Sequence, residues 1–296
     1  MMDNIEFYKP KEVALACTGG GVRAAVNIGV IRGLEELGIK ITAISGASIG
    51  ACVAMLYGLG YSTEEILYEY KHNINRFKKF SFLDYLLAFP NLFINGGFKN
   101  PKIISKIVKE ICTKKGIINM SDFKMPVVIP GLDITKRETM YYSSKPLKNL
   151  TFYSDRTVWE AIKSTCCFPF VFTPNKINME KKIHYMMDGG ITTNTAVAPL
   201  KQFSDYVIGI GTKFYEKDGK DNMNIVQMIK QGFQSMRRSS LREQKLLADL
   251  WIDIDVGKIG VFANINKADY LEELGYQAIK KAFQNKELFS NLNEAR

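Results

Sequence analysis

Two short apolar runs, each ending in a glycine-rich turn, constrain this chain more than any other feature of its 296 residues. Val13 to Cys17 is followed by Thr18 and the triplet Gly19-Gly20-Gly21. The run IKITAIS, residues 39–45, leads into Gly46-Ala47-Ser48-Ile49-Gly50. Between the two, Val22 to Leu37 shows helical spacing, with Gly38 as its stop. A small-residue helix, ACVAMLYGLG, follows the second turn, and Ser62-Thr-Glu-Glu65 reads as a capping box that opens the next. Strand–helix–strand–helix order implies parallel strands joined by a right-handed crossover, so both strands end on the same edge of the sheet. Neighbouring strands lie ~4.8 Å apart. The turns GGGVR and GASIG are therefore expected side by side.

The placement of Gly46 and Gly50 around Ser48 is that of a nucleophile elbow. Three successive glycines allow backbone conformations closed to other residues, and their N–H groups can converge into an anion-binding nest at the head of a helix. Ser48 heads a helix of its own, whose positive end favours negative charge nearby. Side by side, the two turns supply an attacking oxygen and donors for a tetrahedral oxyanion.

A serine hydroxyl also needs a base. His72, in EYKHNINRFKK, reads as part of a solvated basic helix face. His184 lies in a strand four residues before Asp188, and the two stand more than ~10 Å apart along it. No histidine follows His184, so the order Ser–acid–His is poorly supported. A carboxylate acting directly is the alternative. Asp188 follows Tyr185-Met186-Met187 and precedes Gly189-Gly190, at a strand end opening into a turn. Burial there would raise its pKa toward a useful range for a base. Asp133 ends the strand-like segment 125–135 in the same way, and spacing does not rank the two.

Length favours one large α/β domain, and 46% hydrophobic residues can build its core. Cys17, Cys52, Cys112, Cys166 and Cys167 are scattered without zinc spacing and read as buried thiols of a reducing, cytoplasmic compartment. The first twelve residues have no apolar core of a secretory signal. Residues 41–63 carry no charge and are long enough to span a bilayer, yet four glycines, three serines and two threonines there fit a buried strand–turn–helix unit better. A net charge of +10 suits an acidic partner, whether nucleic acid, anionic membrane or anionic substrate.

Further helices are expected at 101–112, 159–165 and 225–250, and strands at 183–187 and 207–210. In the 225–250 pattern, Lys230, Arg237, Arg238, Arg242 and Lys245 share one arc. Ile225, Val226, Ile229, Phe233, Met236, Leu246, Leu247 and Leu250 take the other side. The favoured reading is a surface helix packing its apolar side on the sheet; the rival lays it on anionic lipid. Residues 71–98, mixing lysines with phenylalanines, read as a cap or an interfacial lid. Gly19, Gly21 and Ala24 match G-x-G-x-x-A, but no acid stands between 37 and 63 to hold a ribose, which counts against a dinucleotide-binding oxidoreductase. DIDVG at 253–257 would need Glu at its twelfth calcium-loop position and has Asn264.

The segments GGGVRAAVNIGV, GASIG and DGG, in this order, resemble the patatin-like phospholipase family from about residue 11 to about residue 285. The resemblance implies a three-layer α/β/α sandwich with a mostly parallel sheet. It implies hydrolysis of fatty-acyl esters in phospholipids or lysophospholipids through an acyl-serine, with no metal, no organic cofactor and no nucleic acid. Carried onto this chain, Ser48 is the nucleophile and Asp188 the base, with Gly46 and Gly50 the elbow. Gly19, Gly20, Gly21 and Arg23 form the oxyanion segment, and Gly189 and Gly190 complete the DGG motif. Residues 1–10 are then an N-terminal extension, 11–285 the hydrolase domain with its cap at about 71–98, and 286–296 a tail. Acyl transfer or thioester hydrolysis would use the same dyad, and a non-catalytic lipid-binding module the same fold. The chain departs from the family pattern at Ala24, Asn27, Thr165 and Cys167, and the bulk of Cys167 and Phe170 is expected to narrow the acyl pocket. Peripheral contact with an anionic membrane surface is the partner expectation.

Overall fold

Alternating burial along the first strand, β1 (Glu12–Cys17), shows how the layers assemble. Every residue after Glu12 is buried. Val13, Leu15 and Cys17 enter the larger core, while Ala14 and Ala16 enter a thinner one on the opposite face. A strand covered on both faces must be apolar throughout, which is why Val13–Cys17 reads as a continuous run. The structure, a computed structural model, describes residues 10–77, 97–179, 181–213 and 223–284.

The strands are β2 (Lys40–Gly46), β3 (Gly97–Lys99), β4 (Val127–Asp133), β5 (Glu138–Ser143), β6 (Phe152–Tyr153), β7 (Phe170–Phe172), β8 (Asn175–Met179), β9 (Lys182–Asp188), β10 (Val207–Lys213) and β11 (Leu250–Asp255). The main sheet runs β11-β10-β1-β2-β4-β5-β6, with the hairpin β8–β9 joined to β4. From β11 to β4 all neighbours are parallel. β5 and β9 run antiparallel to β4. β1 and β2 end in register, Cys17 opposite Gly46, so the two glycine turns leave from one edge.

The helices are α1 (Val26–Glu36), α2 (Ile49–Gly58), α3 (Thr63–Phe77), α4 (Lys102–Lys114), α5 (Val158–Thr165), α6 (Ile225–Leu247) and α7 (Ala268–Gln284). All except α6 contribute buried side chains to the larger core. Ile28, Ile31 and Leu34 of α1 are fully buried, which stabilises the fold by ~2 kcal/mol each. Arg32 ties α1 to α7, its Nε 2.8 Å from Glu272 Oε1 and its guanidinium 3.8 Å above the Tyr276 ring. The opposite face is covered by Ala196, Val197 and Leu200, with α6 fastened there by Gln244, whose Oε1 accepts from the amides of Val197 and Ala198 at 2.9 and 3.0 Å. This is an α/β/α sandwich on a mostly parallel sheet.

Local signals act as expected at several boundaries. Gly38 follows α1 with φ +69°, and Ser62 and Glu65 exchange hydrogen bonds at the start of α3. Other expectations change. The helix foreseen from Val22 begins as a 3-10 turn over Gly21–Ala25, and α1 proper starts at Val26. Leu250 belongs to β11, not to the preceding helix, and Asp253 there binds Lys245 and Trp251. The apolar side of α6 is largely left open: Ile225, Met236 and Leu246 are more than half exposed, while Phe233 meets the Phe170 ring. Of the aromatic segment 71–98, residues 71–77 finish α3 and 97–99 form β3, while 78–96 lie outside the described residues.

Beneath the sheet edge, Ser164 centres a buried network. Its hydroxyl accepts from Tyr142 Oη (2.9 Å) and Asn175 Nδ2 (2.8 Å) and donates to the Glu160 carbonyl (2.8 Å). Removing it strands two buried donors, so Ser164→Ala should cost about 2 kcal/mol in urea unfolding. Adding Tyr142→Phe should cost less than the sum of the two single changes, because one stranded donor disappears.

Candidate active site

Strand β4 carries two other strands along one of its edges. β2 pairs with its beginning, Ser45 opposite Val128. β9 pairs with its end, Gly131 opposite Asp188, and runs the other way. The C-terminal ends of β2 and β9 therefore point at each other across about three residues of β4, ~10 Å. Gly46-Ala47-Ser48 enters that gap from one side and Asp188-Gly189-Gly190 from the other.

Ser48 sits in the gap with φ 51° and ψ −130°, a conformation that side chains rarely adopt. Such strain is characteristic of a nucleophile elbow, where it lifts the hydroxyl clear of the strand and helix that flank it. The elbow closes because its glycines have no side chain. A Cβ on Gly46 would lie 2.4 Å from the Gly50 carbonyl oxygen, and one on Gly50 would lie 2.4 Å from the Thr18 carbonyl oxygen. The second contact also brings the glycine triplet against the elbow. The Ser48 amide donates to Thr165 Oγ1 at 3.0 Å, which anchors the elbow to the end of α5.

Asp188 is 3% exposed. Its amide donates to the Cys167 carbonyl at 3.1 Å, and its Oδ1 accepts from the Gly190 amide at 2.7 Å. Burial pushes the carboxyl up from its ordinary 3.8 to about 6. Donation from the Ser48 hydroxyl, donation from the Gly190 amide and the charge of Arg237 each pull it partly back. The structure thus brings Ser48 and Asp188 together. Asp133, the other candidate carboxylate, is committed elsewhere: Oδ2 is 2.6 Å from His184 Nδ1, and Oδ1 accepts from the amides of Thr135 and Lys136. His72 stacks on Tyr68. Neither histidine reaches the elbow.

The glycine segment is narrower in its donors than expected. The Gly19 amide donates to the Asn194 carbonyl at 3.1 Å, and the Arg23 amide to the Gly20 carbonyl at 3.2 Å. Gly20 (φ 136°) and Gly21 (φ 58°) keep amides without an acceptor among the described residues. Tyr70 of α3 supports this turn from outside, its hydroxyl donating to the carbonyls of Gly21 and Val22 at 2.9 and 3.0 Å.

Two asparagines play parts that spacing does not reveal. Asn27 Oδ1 accepts from the Thr18 amide at 3.0 Å, and its Nδ2 donates to the carbonyls of Thr18 and Ala24. It locks the strand end to the start of α1. Asn194 Nδ2 donates to Thr18 Oγ1 at 2.9 Å, stapling the glycine turn to the segment that follows DGG. Nothing in the residues around Asn194 signals its part, because it acts through contacts 176 residues away in the chain. Cys167 is buried, its carbonyl accepting from the Asp188 amide and its Sγ donating to the Lys163 carbonyl, while Phe170 is 41% exposed and does not fill the interior. An apolar pocket opens instead beside the elbow helix, lined by Ile49, Cys52, Tyr70, Ile74, Ile107 and Ile111.

A family model described as patatin-like phospholipase matches residues 15–201, more than half of the chain, and the chain belongs to that family. The Bacillus subtilis protein YqhO is 25% identical over 229 residues, covering 74% of this chain and 78% of YqhO. The NTE family protein Mb1092c of Mycobacterium bovis is 26% identical over 188 residues, 64% of this chain and 45% of that protein. Lysophospholipase NTE1 of Coccidioides immitis is 28% identical over 209 residues, 67% of this chain and 11% of that protein. The chain therefore spans less than half of the mycobacterial relative and about a tenth of the fungal one. Among solved structures, VipD from Legionella pneumophila shares the fold with a TM-score of 0.56 at 13% identity, covering 92% of this chain and 66% of that one. Family membership supports a lipid ester hydrolase as the class of activity.

The raised pKa of Asp188 has a stability consequence. The unfolded chain loses this proton near pH 3.8, the folded protein near pH 6. Stability present below the lower value is lost as pH rises through that window and is missing above it. Asp188→Asn should therefore raise the unfolding free energy at pH 8 by as much as about 3 kcal/mol. The gain should shrink toward zero as pH approaches 4, measured by urea unfolding at each pH.

Proposed function

We propose that this protein cleaves fatty-acyl esters of phospholipids or lysophospholipids through an acyl-serine, with Ser48 as nucleophile and Asp188 as base. One observation carries the reading: a serine strained into an elbow faces a buried carboxylate whose pKa is raised to about 6. At neutral pH such a carboxylate is ionised yet basic enough to take a proton in the transition state.

In the first step Ser48 Oγ attacks the acyl carbonyl carbon while its proton passes to Asp188. Negative charge develops on the carbonyl oxygen, where the amides of Gly20 and Gly21 and the N-terminus of α2 are poised to receive it. Collapse breaks the bond to the alcohol oxygen, which leaves with the proton from Asp188. In the second step Asp188 takes a proton from water, whose oxygen attacks the acyl-serine, and the fatty acid departs as Ser48 recovers its proton. Gly19 and Arg23 serve by holding the turn, since the Gly19 amide is engaged by the Asn194 carbonyl and the Arg23 amide by the Gly20 carbonyl. Peripheral docking on an anionic bilayer is supported by exposed Phe168, Phe170, Ile225, Met228 and Met236, with exposed Arg242 on the same helix as the last three.

A fluorophosphonate should label wild-type protein on Ser48, and Ser48→Ala should abolish both the label and fatty-acid release from a lysophospholipid. Asp188→Asn should lower kcat by about 10²- to 10⁴-fold. For the wild type, kcat/KM should climb tenfold per pH unit below a midpoint near 6 and level off above it, because only ionised Asp188 accepts the proton. Labelling of a residue other than Ser48 would remove the reading.

A further inference from the structure

We propose that Arg237 grips the phosphate of the lipid beside the scissile ester, so that the site selects acyl esters carrying an anionic phosphate over neutral ones. This rests on the hydrolase reading above and on the way α6 is laid across the site. Three side chains fix the orientation of the helix. The Phe233 ring meets the Phe170 ring edge-on at 6.4 Å. Ser240 Oγ donates to the Thr192 carbonyl. Gln244 Oε1 accepts from the amides of Val197 and Ala198. Positions 233, 237, 240 and 244 follow the i, i+4, i+7, i+11 spacing of a single helix face. Arg237 occupies the remaining place in that inward stripe and is half-buried, whereas Arg238 and Arg242 are exposed.

The neighbours of the stripe locate Arg237 over the dyad. Phe170 lies three residues beyond Cys167, whose carbonyl holds the Asp188 amide, and Thr192 lies in the turn that Asp188 opens. The guanidinium is close enough for its charge to lower the Asp188 pKa. Taken alone, that weakens the base. A cation here becomes useful when an anion arrives, because ionised Asp188 repels an approaching phosphate and a planar guanidinium fork offsets the repulsion while matching phosphate geometry. In a glycerophospholipid the phosphate is borne by the carbon next to the one carrying the ester, or one further along. A group standing over the dyad is placed to meet it.

The test compares lysophosphatidylglycerol with a monoacylglycerol of the same chain length, for wild type, Arg237→Gln and Arg237→Lys. Arg237→Gln should lower the phospholipid-to-neutral ratio of kcat/KM by ~10- to 100-fold, mainly through KM, and Arg237→Lys should keep most of the ratio. An unchanged ratio overturns the proposal. So does an unchanged ratio with the acid limb of the pH profile moved upward, since Arg237 would then act only on the ionisation of Asp188. A second arm needs no turnover. Calorimetry should show Ser48→Ala protein binding an ether-linked lysophosphatidylglycerol at least tenfold more tightly than the matching alkylglycerol, with that preference lost in Ser48→Ala/Arg237→Gln. No preference in Ser48→Ala protein overturns the proposal. Preserved preference with an inactive wild type would instead count against the hydrolase reading while upholding the role of Arg237.

Discussion

The site depends on one constraint: β4 accepts two strands, in opposite directions, along a single edge. β2 stops where β9 also stops, and the short stretch of β4 between them sets how far apart the two loose ends can be. Nothing in either turn needs to search for the other. The close approaches then take up the remaining distance. A Cβ on Gly189 would lie 2.1 Å from the Pro130 carbonyl oxygen, so the DGG turn is pressed against β4 itself. The elbow is pressed against the glycine triplet in the same manner through Gly50. Backbone contacts of this kind leave little room for the site to relax, which is the condition under which a strained φ at Ser48 can persist.

The same antiparallel pairing sorts the two carboxylates that end strands. Asp133 and Asp188 are similar in local setting, yet β9 places them on opposite sides of its pairing with β4, Asp133 opposite Met186 and Asp188 opposite Gly131. Asp133 consequently faces the start of β9, where His184 meets it, and Asp188 faces the elbow. A histidine and a carboxylate do form a buried pair in this protein, but away from the serine. The pair fastens the β4–β5 turn to β9 and leaves the single carboxylate at the elbow.

Much of this was legible in the residues because the informative parts are local. The runs at 13–17 and 39–45, the helix between them, Gly38 and the Ser62 capping box are short-range patterns, and each appears near where the pattern puts it, the helix proper starting four residues late at Val26. The direction of β9 was not legible, since no spacing in residues 182–190 states which neighbour the strand will choose. That is why Asp133 and Asp188 stayed level until the pairing was known. The donor set of the glycine turn was also hidden. Four residues, Gly19 to Gly21 and Arg23, suit an oxyanion segment by type, but the Gly19 amide is taken up by Asn194, far along the chain. Helix α6 misled for a different reason. Its apolar residues form a stripe, and a stripe ordinarily marks the packed face. Here the packed face is Phe233, Arg237, Ser240 and Gln244, a mostly polar row chosen by what lies beneath it rather than by hydrophobicity.

The staple from Asn194 to Thr18 joins parts of the chain made far apart in time. During synthesis, strand, elbow and glycine turn emerge long before residues 188–194, so the growing polypeptide carries Ser48 with neither Asp188 nor the Asn194 contacts that fix the glycine turn. The arrangement is complete only when the late segment closes the circle. A fragment ending before that segment would hold the elbow and the glycine turn without the staple that joins them to residues 188–194.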